Sequence, residues 1–359
     1  MTIKEKIKQK NINWLISLLL NAVVLVGVLA CTEMMYETND DFGIAAKIDA
    51  DYPYIGFVNY FLCKLLIAIQ NLLPTMNIFV MSQLVCSFVA LTVALKVLLD
   101  RSNHIAFDVL SVAVIALFSL DHYSAIQFTK TSGLLLAAGL LLLIDNYLHE
   151  RKIRYFVLGY VLFYLGVMYR QKGMFPALAF ATIVLAIWFL TTKLGDIRKD
   201  GIKAKEVLLL VIFMVLALVP YGLDKMSDAA NASTPELKYA REYQAERVKI
   251  TDYPVYDFYE ENKDEYDKIG LSENDVYLVT HWMLDYDGAA SLENLKKINE
   301  INKDSIAASH SVSKAVKTFC RKTYKDIRTL GFKGKHIVLL ALISLWIIWG
   351  VTSWCKYLN

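Results

Sequence analysis

Runs of apolar residues long enough to cross a bilayer constrain this chain more than any other feature. The first runs from Trp14 to about Met34. Others lie at roughly Met76–Leu99, His104–Leu120, Ser132–Leu148, Tyr155–Tyr169, Met174–Leu190, Val207–Tyr221 and Ile337–Trp354. A hydrocarbon core about 30 Å thick takes about 20 helical residues to span. In lipid each such segment must satisfy its own backbone polar groups, which a helix does alone. The fold expected is therefore all-α and polytopic, with about eight spans. The mean hydropathy of +0.40 and a 56% hydrophobic composition exclude an ordinary soluble domain. The five cysteines are scattered and form neither a disulfide framework nor a paired metal motif. The first span reads as an uncleaved signal anchor.

Charge sets the orientation. Lys4, Lys6, Lys8 and Lys10 against Glu5 place the N-terminus in the cytoplasm. The stretch 54–73 is apolar but interrupted by Lys64, Gln70 and Asn71. On a helical projection Asn59 and Gln70 fall together beside Tyr60, Lys64 and Asn71, a polar arc suited to a helix lying in the outer interface. If this helix does not cross, the basic loops 149–154 and 193–205 both fall inside, and both termini are cytoplasmic. The basic segment Lys314–Lys335 then falls outside, against the charge rule, which long translocated segments largely escape.

Three regions follow: a membrane core over 1–221, an extracytoplasmic helical cap over 222–335, and a C-terminal span over 336–359. Asp224–Asp304 carries nineteen acidic and ten basic residues. Thr234-Pro235-Glu236 reads as a helix start, Gly270 as a helix stop, and Ser272 and Ser291 as further N-caps.

The outward polar residues form one set. The first outer loop, 35–53, holds Asp40 and Asp41; Asp121, His122 and Lys130 come from the turn near residue 125; Arg170 and Lys172 end a later span. Adjacent carboxylates at a membrane boundary carry repulsion and desolvation costs that a function would explain, although a solvated loop is the plain alternative. Lys130 and Arg170 suit phosphate, or serve as snorkelling anchors. His122 beside Asp121 has the form of a base with its orienter, or of a helix end. The cap's aromatic residues, Trp282 among them, are suited to stacking on sugar rings or to forming the cap's own core.

This order of elements resembles the GT-C superfamily of membrane glycosyltransferases. The resemblance rests on the acidic pair in the first outer loop, the interfacial helix, Phe128-Thr129-Lys130-Thr131-Ser132 opening a span, and Met168-Tyr169-Arg170-Gln171-Lys172-Gly173 closing one. It covers about the first 220 residues. It implies a multi-pass cell-membrane enzyme that moves a sugar from a polyprenyl-phosphate donor to a cell-surface glycan or glycolipid. Asp40 or Asp41 would be the base, and Lys130, Arg170 and Lys172 would hold the donor phosphate. Asp121, His122 and Trp282 would contact donor or acceptor, and Asp40 and Asp41 would hold any divalent cation, Mg or Mn. Nucleic acid is not among the expected partners. A surface-polysaccharide polymerase and a lipid-linked glycan flippase or transporter are the competing expectations.

Overall fold

The computed structural model describes residues 3–188, 204–251, 259–285 and 288–304, together with residues 317, 320 and 321. The described chain is almost wholly helical. Eight helices precede residue 189: α1 (Ile3–Cys31), α2 (Asn39–Asp49), α3 (Tyr60–Leu72), α4 (Ile78–Arg101), α5 (Ile105–Ser124), α6 (Phe128–Asp145), α7 (Ile153–Tyr169) and α8 (Met174–Trp188). A ninth helix, Ala204–Ala230, contains the apolar stretch 207–221.

Among the described residues, four segments are long and apolar enough to cross a membrane: Asn11–Cys31, Ile78–Arg101, Ile105–Ser124 and Phe128–His149. This is fewer than the hydropathy pattern suggests. The stretch near Tyr155 forms a helix of 17 residues, about 25 Å at 1.5 Å per residue, short of a typical hydrocarbon core. The expected last span, 337–354, and most of the basic segment before it lie outside the described residues.

Burial sorts the span-length helices. The apolar window of α4 is 56% buried and that of α6 is 67% buried, against 17% for α1 and for α5. Thus α4 and α6 are central, while α1 and α5 leave apolar faces such as Val23, Val26 and Val109 uncovered. In lipid those faces incur no penalty, so contacts between helices depend on close packing and internal hydrogen bonds. Helices α6 and α7 meet through glycine: a Cβ on Gly139 would lie 2.7 Å from both the Gly159 carbonyl oxygen and the Phe163 nitrogen. Helices α1, α4 and α5 meet at Asn21, whose amide donates to the Thr92 hydroxyl at 2.9 Å and accepts from the Tyr123 hydroxyl at 2.7 Å.

The described residues fall into two compact units, one ending at Asp228 and one beginning at Ala229. The second contains helices Pro235–Thr251, Lys263–Lys268, Glu273–Thr280 and Leu292–Ile301 around Ile250, Tyr266, Val276, Leu295 and Ile298. Its helix ends follow local chemistry. Thr234 accepts from the Leu237 N–H, Ser272 and Asp275 form a reciprocal capping box, and Ser291 accepts from Asn294. Gly270 follows helix Lys263–Lys268 at φ +74°, a conformation natural to glycine.

Candidate functional site

The segment 35–53, expected as the first outer loop, contains a short strand and a helix. Strand β1 (Met35–Tyr36) pairs in parallel with β2 (Ala125–Ile126), Met35 opposite Ala125 and Tyr36 opposite Ile126. The pairing continues through the Glu37 N–H to the Ile126 carbonyl at 3.0 Å. Two elements distant in sequence thereby become neighbours: the start of α2, with Asp40 and Asp41, and the start of α6, with Phe128, Thr129 and Lys130.

Successive residues in the first turn of a helix point in different directions, and this separates the two carboxylates. Asp41 is fully buried, whereas Asp40 is exposed. One Asp41 oxygen accepts from the Phe128 N–H at 2.8 Å, and the other from the Thr38 hydroxyl at 2.7 Å. The first N–H groups of a helix lack intrahelical partners. Gln127, the residue capping α6, makes no side-chain cap bond, so Asp41 caps α6 from another helix. Burial pushes the Asp41 carboxyl above its ordinary value, and the bonds from Thr38 and Phe128 pull the other way without overcoming it. Asp40 adds a smaller upward push.

Arg170 follows α7 in extended conformation. Its guanidinium donates to the Thr129 hydroxyl and lies over the Phe57 ring at 5.8 Å and the Phe128 ring at 5.5 Å. The Ser132 hydroxyl donates to the Gly166 carbonyl at 2.7 Å and the Arg170 carbonyl at 3.3 Å, holding this corner against α6. Consecutive residues of α6 therefore meet the two sides of the cluster. Phe128 binds Asp41 through its N–H and Arg170 through its ring, while Thr129 binds the guanidinium.

The remaining candidates have other surroundings. Asp121 and His122 lie in the last turn of α5, and Lys130 in the first turns of α6. Lys130 is ion-paired to Glu37 at 2.6 Å and Asp121 at 2.9 Å. The ammonium thus links the residue after β1 and the last turn of α5 to α6. Asp121 faces Lys130, whereas His122 Nδ1 lies 2.9 Å from the Phe118 carbonyl; the two do not form a base with its orienter. Lys172 is exposed in a short turn, Gln171–Gly173. Trp282 belongs to the second unit, 56% exposed at φ +67°, with the Arg247 guanidinium 4.2 Å from its ring. Tyr253, Tyr256, Phe258 and Tyr286 of the aromatic set lie outside the described residues.

Among the described residues, no three His, Cys, Asp or Glu side chains gather as a metal site. Each Asp41 oxygen accepts one hydrogen bond, and the described side chains bring no third His, Cys, Asp or Glu to the acidic pair. Gln70, expected on the polar face of α3, is buried and braces the chain reversal, donating to Met76 and accepting from Ile78.

The sequence reading passed over Thr38, Phe57 and Gln83. Gln83 is buried in α4, bonds the Thr131 hydroxyl at 3.2 Å, and its amide favours the charged form of Asp41. A polar residue inside an apolar run was a signal for it. A glutamine where α6 needs a cap was a signal that the cap comes from elsewhere.

No protein family, curated protein or solved structure matches this chain. The fold defines a class only: a helical protein with membrane-length helices and a polar cluster where α2, α6 and the end of α7 meet.

Proposed function

We propose that this chain is a multi-pass membrane glycosyltransferase, transferring a sugar from a polyprenyl-phosphate donor to a glycan or glycolipid acceptor at the extracytoplasmic face. The observation that supports it is the joining of an acidic helix start and a cationic span end through Phe128 and Thr129. Exposed Asp40 is the acid able to meet a substrate. Asp41 is the positioning residue that ties α2 to α6. The acceptor hydroxyl gives its proton to Asp40 as its oxygen bonds to the anomeric carbon, and the bond to the donor phosphate breaks with its electron pair leaving on phosphate. Arg170 and Lys172 offset the charge that develops on the departing phosphate. A single displacement inverts the anomeric centre. Lys130, balanced by Glu37 and Asp121, holds β1 and the end of α5 to α6.

In this reading about eight spans cross the cell membrane and both termini are cytoplasmic. The decisive experiment is sugar transfer by purified protein in liposomes from a synthetic polyprenyl-phosphate sugar. Transfer abolished in Asp40→Asn at unchanged protein level supports the reading, and wild-type transfer in that variant removes Asp40 as the base. Orientation is read separately, by an impermeant thiol reagent on cysteine-free protein with Ser124→Cys or Lys203→Cys. Labelling at 124 and silence at 203 are expected in intact cells, and the reverse overturns the topology.

A further inference from the structure

A second polar site lies at the other end of α4. The 24 residues from Ile78 to Arg101 carry the helix about 36 Å, from the Asp41 cluster to the opposite membrane boundary. There the turn between α4 and α5 opens a cleft of about 1040 Å³, walled by α1, the end of α4, the start of α5 and His149. Because the turn joins two membrane-length helices, the cleft sits at headgroup level.

Its walls differ in character. Arg101, Asp108 and His149 line the polar side, and Ile16, Val109 and Val112 line the apolar side. Val109 is 62% exposed, which makes the apolar wall continuous with the uncovered faces of α1 and α5. A ligand filling both walls has an apolar chain and a polar head. The charges select the head. Arg101 is held by Asp145, with N–O contacts of 2.5 and 3.0 Å, and its side chain remains 31% exposed. The Asp108 N–H donates to the His104 carbonyl at 3.2 Å, but its carboxylate makes no hydrogen bond or ion pair among the described residues. The other acid at the cleft, Asp100, is balanced by Lys96 at 2.8 Å. A cation and an uncompensated carboxylate within one cleft match a headgroup carrying both phosphate and ammonium. A carboxylate favours an ammonium that can donate hydrogen bonds.

We propose that this cleft binds one aminophospholipid, its phosphate at Arg101, its primary ammonium at Asp108 and an acyl chain along Val109 and Val112. The site is independent of the transfer chemistry proposed above.

The test is lipid retention by the full-length protein, reconstituted with equimolar phosphatidylethanolamine, phosphatidylcholine and phosphatidylglycerol of identical acyl chains, then delipidated and weighed by native mass spectrometry. One phosphatidylethanolamine per chain is expected to persist, about 10-fold preferred over phosphatidylglycerol, with phosphatidylcholine intermediate. Asp108→Asn, nearly isosteric, should bring the three lipids close to equal. Val109→Trp, at an exposed position, should release the retained lipid while the helical circular dichroism is unchanged. Equal retention by the wild type, preference for the anionic lipid, or unaltered preference in Asp108→Asn would each overturn the assignment.

Discussion

The buried carboxylate of Asp41 accepts the backbone N–H of Phe128 at 2.8 Å, across 87 residues of sequence. A helix start on one segment is thereby capped by the first turn of another. This contact makes Asp40 and Asp41, adjacent and chemically identical, different in role: one braces the fold, the other faces solvent.

The two acids should separate in activity and stability. Asp40→Asn should lower sugar transfer by about 10²-fold or more, as for loss of a general base, with unchanged thermal unfolding. Asp41→Ala leaves the Phe128 N–H without its acceptor and should destabilise the fold by about 1–3 kcal/mol. Asp41→Asn keeps an amide oxygen for Phe128 and should fold. The measurement is transfer rate against melting temperature for the three variants.

The pH dependence of stability has a definite sign at Asp41. Its folded pKa lies above the ordinary 3.8, chiefly because of burial. Protonation therefore favours the folded form. That contribution is complete below the unfolded value and is lost as pH rises through the folded value. Asp41→Asn does not titrate, so its stability relative to wild type should increase between pH 4 and pH 7. Thermal unfolding in detergent across that range would show a flat or falling difference if the assignment is wrong.

Arg170 stacks on two rings and donates to Thr129, a geometry that a lysine ammonium does not reproduce. Arg170→Lys should slow transfer although charge is kept, and Arg170→Ala should slow it further. Equal rates for wild type and lysine variant, at matched protein levels in liposomes, would show that charge alone suffices.

The glycine contact between α6 and α7 is testable by size. Gly139→Val places its Cβ within 2.7 Å of backbone atoms on α7. Overpacking of this kind typically costs about 1–3 kcal/mol. Gly133→Ala on the same helix meets nothing within 4 Å and serves as the control. A lower unfolding midpoint in the first variant only is the expected outcome.

Lys96 and Asp100 form an ion pair at 2.8 Å with both side chains fully buried, the ammonium lying over the Tyr155 ring at 4.3 Å. Lys96→Met strands a buried carboxylate and should cost about 3–5 kcal/mol. Adding Asp100→Asn should recover much of the loss, since an amide oxygen can still accept from the Asn13 amide, which donates to Asp100 at 2.8 Å. A double variant no more stable than the single would show that the pair acts through something other than charge balance.

Hydropathy and local chemistry determined much of the described fold. Span-length apolar runs impose helices because lipid offers the backbone no other partners. Thr234, Ser272 and Ser291 mark helix starts, and Gly270 a stop, through bonds and φ angles reached within a few residues. The number of crossings was less legible, because a run such as Tyr155–Tyr169 reads alike whether it spans or packs short. The cluster was legible only as residue types at a membrane boundary. Which carboxylate is buried, that Lys130 is spent on Glu37 and Asp121, and that Phe57 and Phe128 flank Arg170 were decided by tertiary structure. The reason is physical: each depends on the β1–β2 pairing that brings residues 35–41 against 125–130, and hydropathy does not encode a contact across some ninety residues.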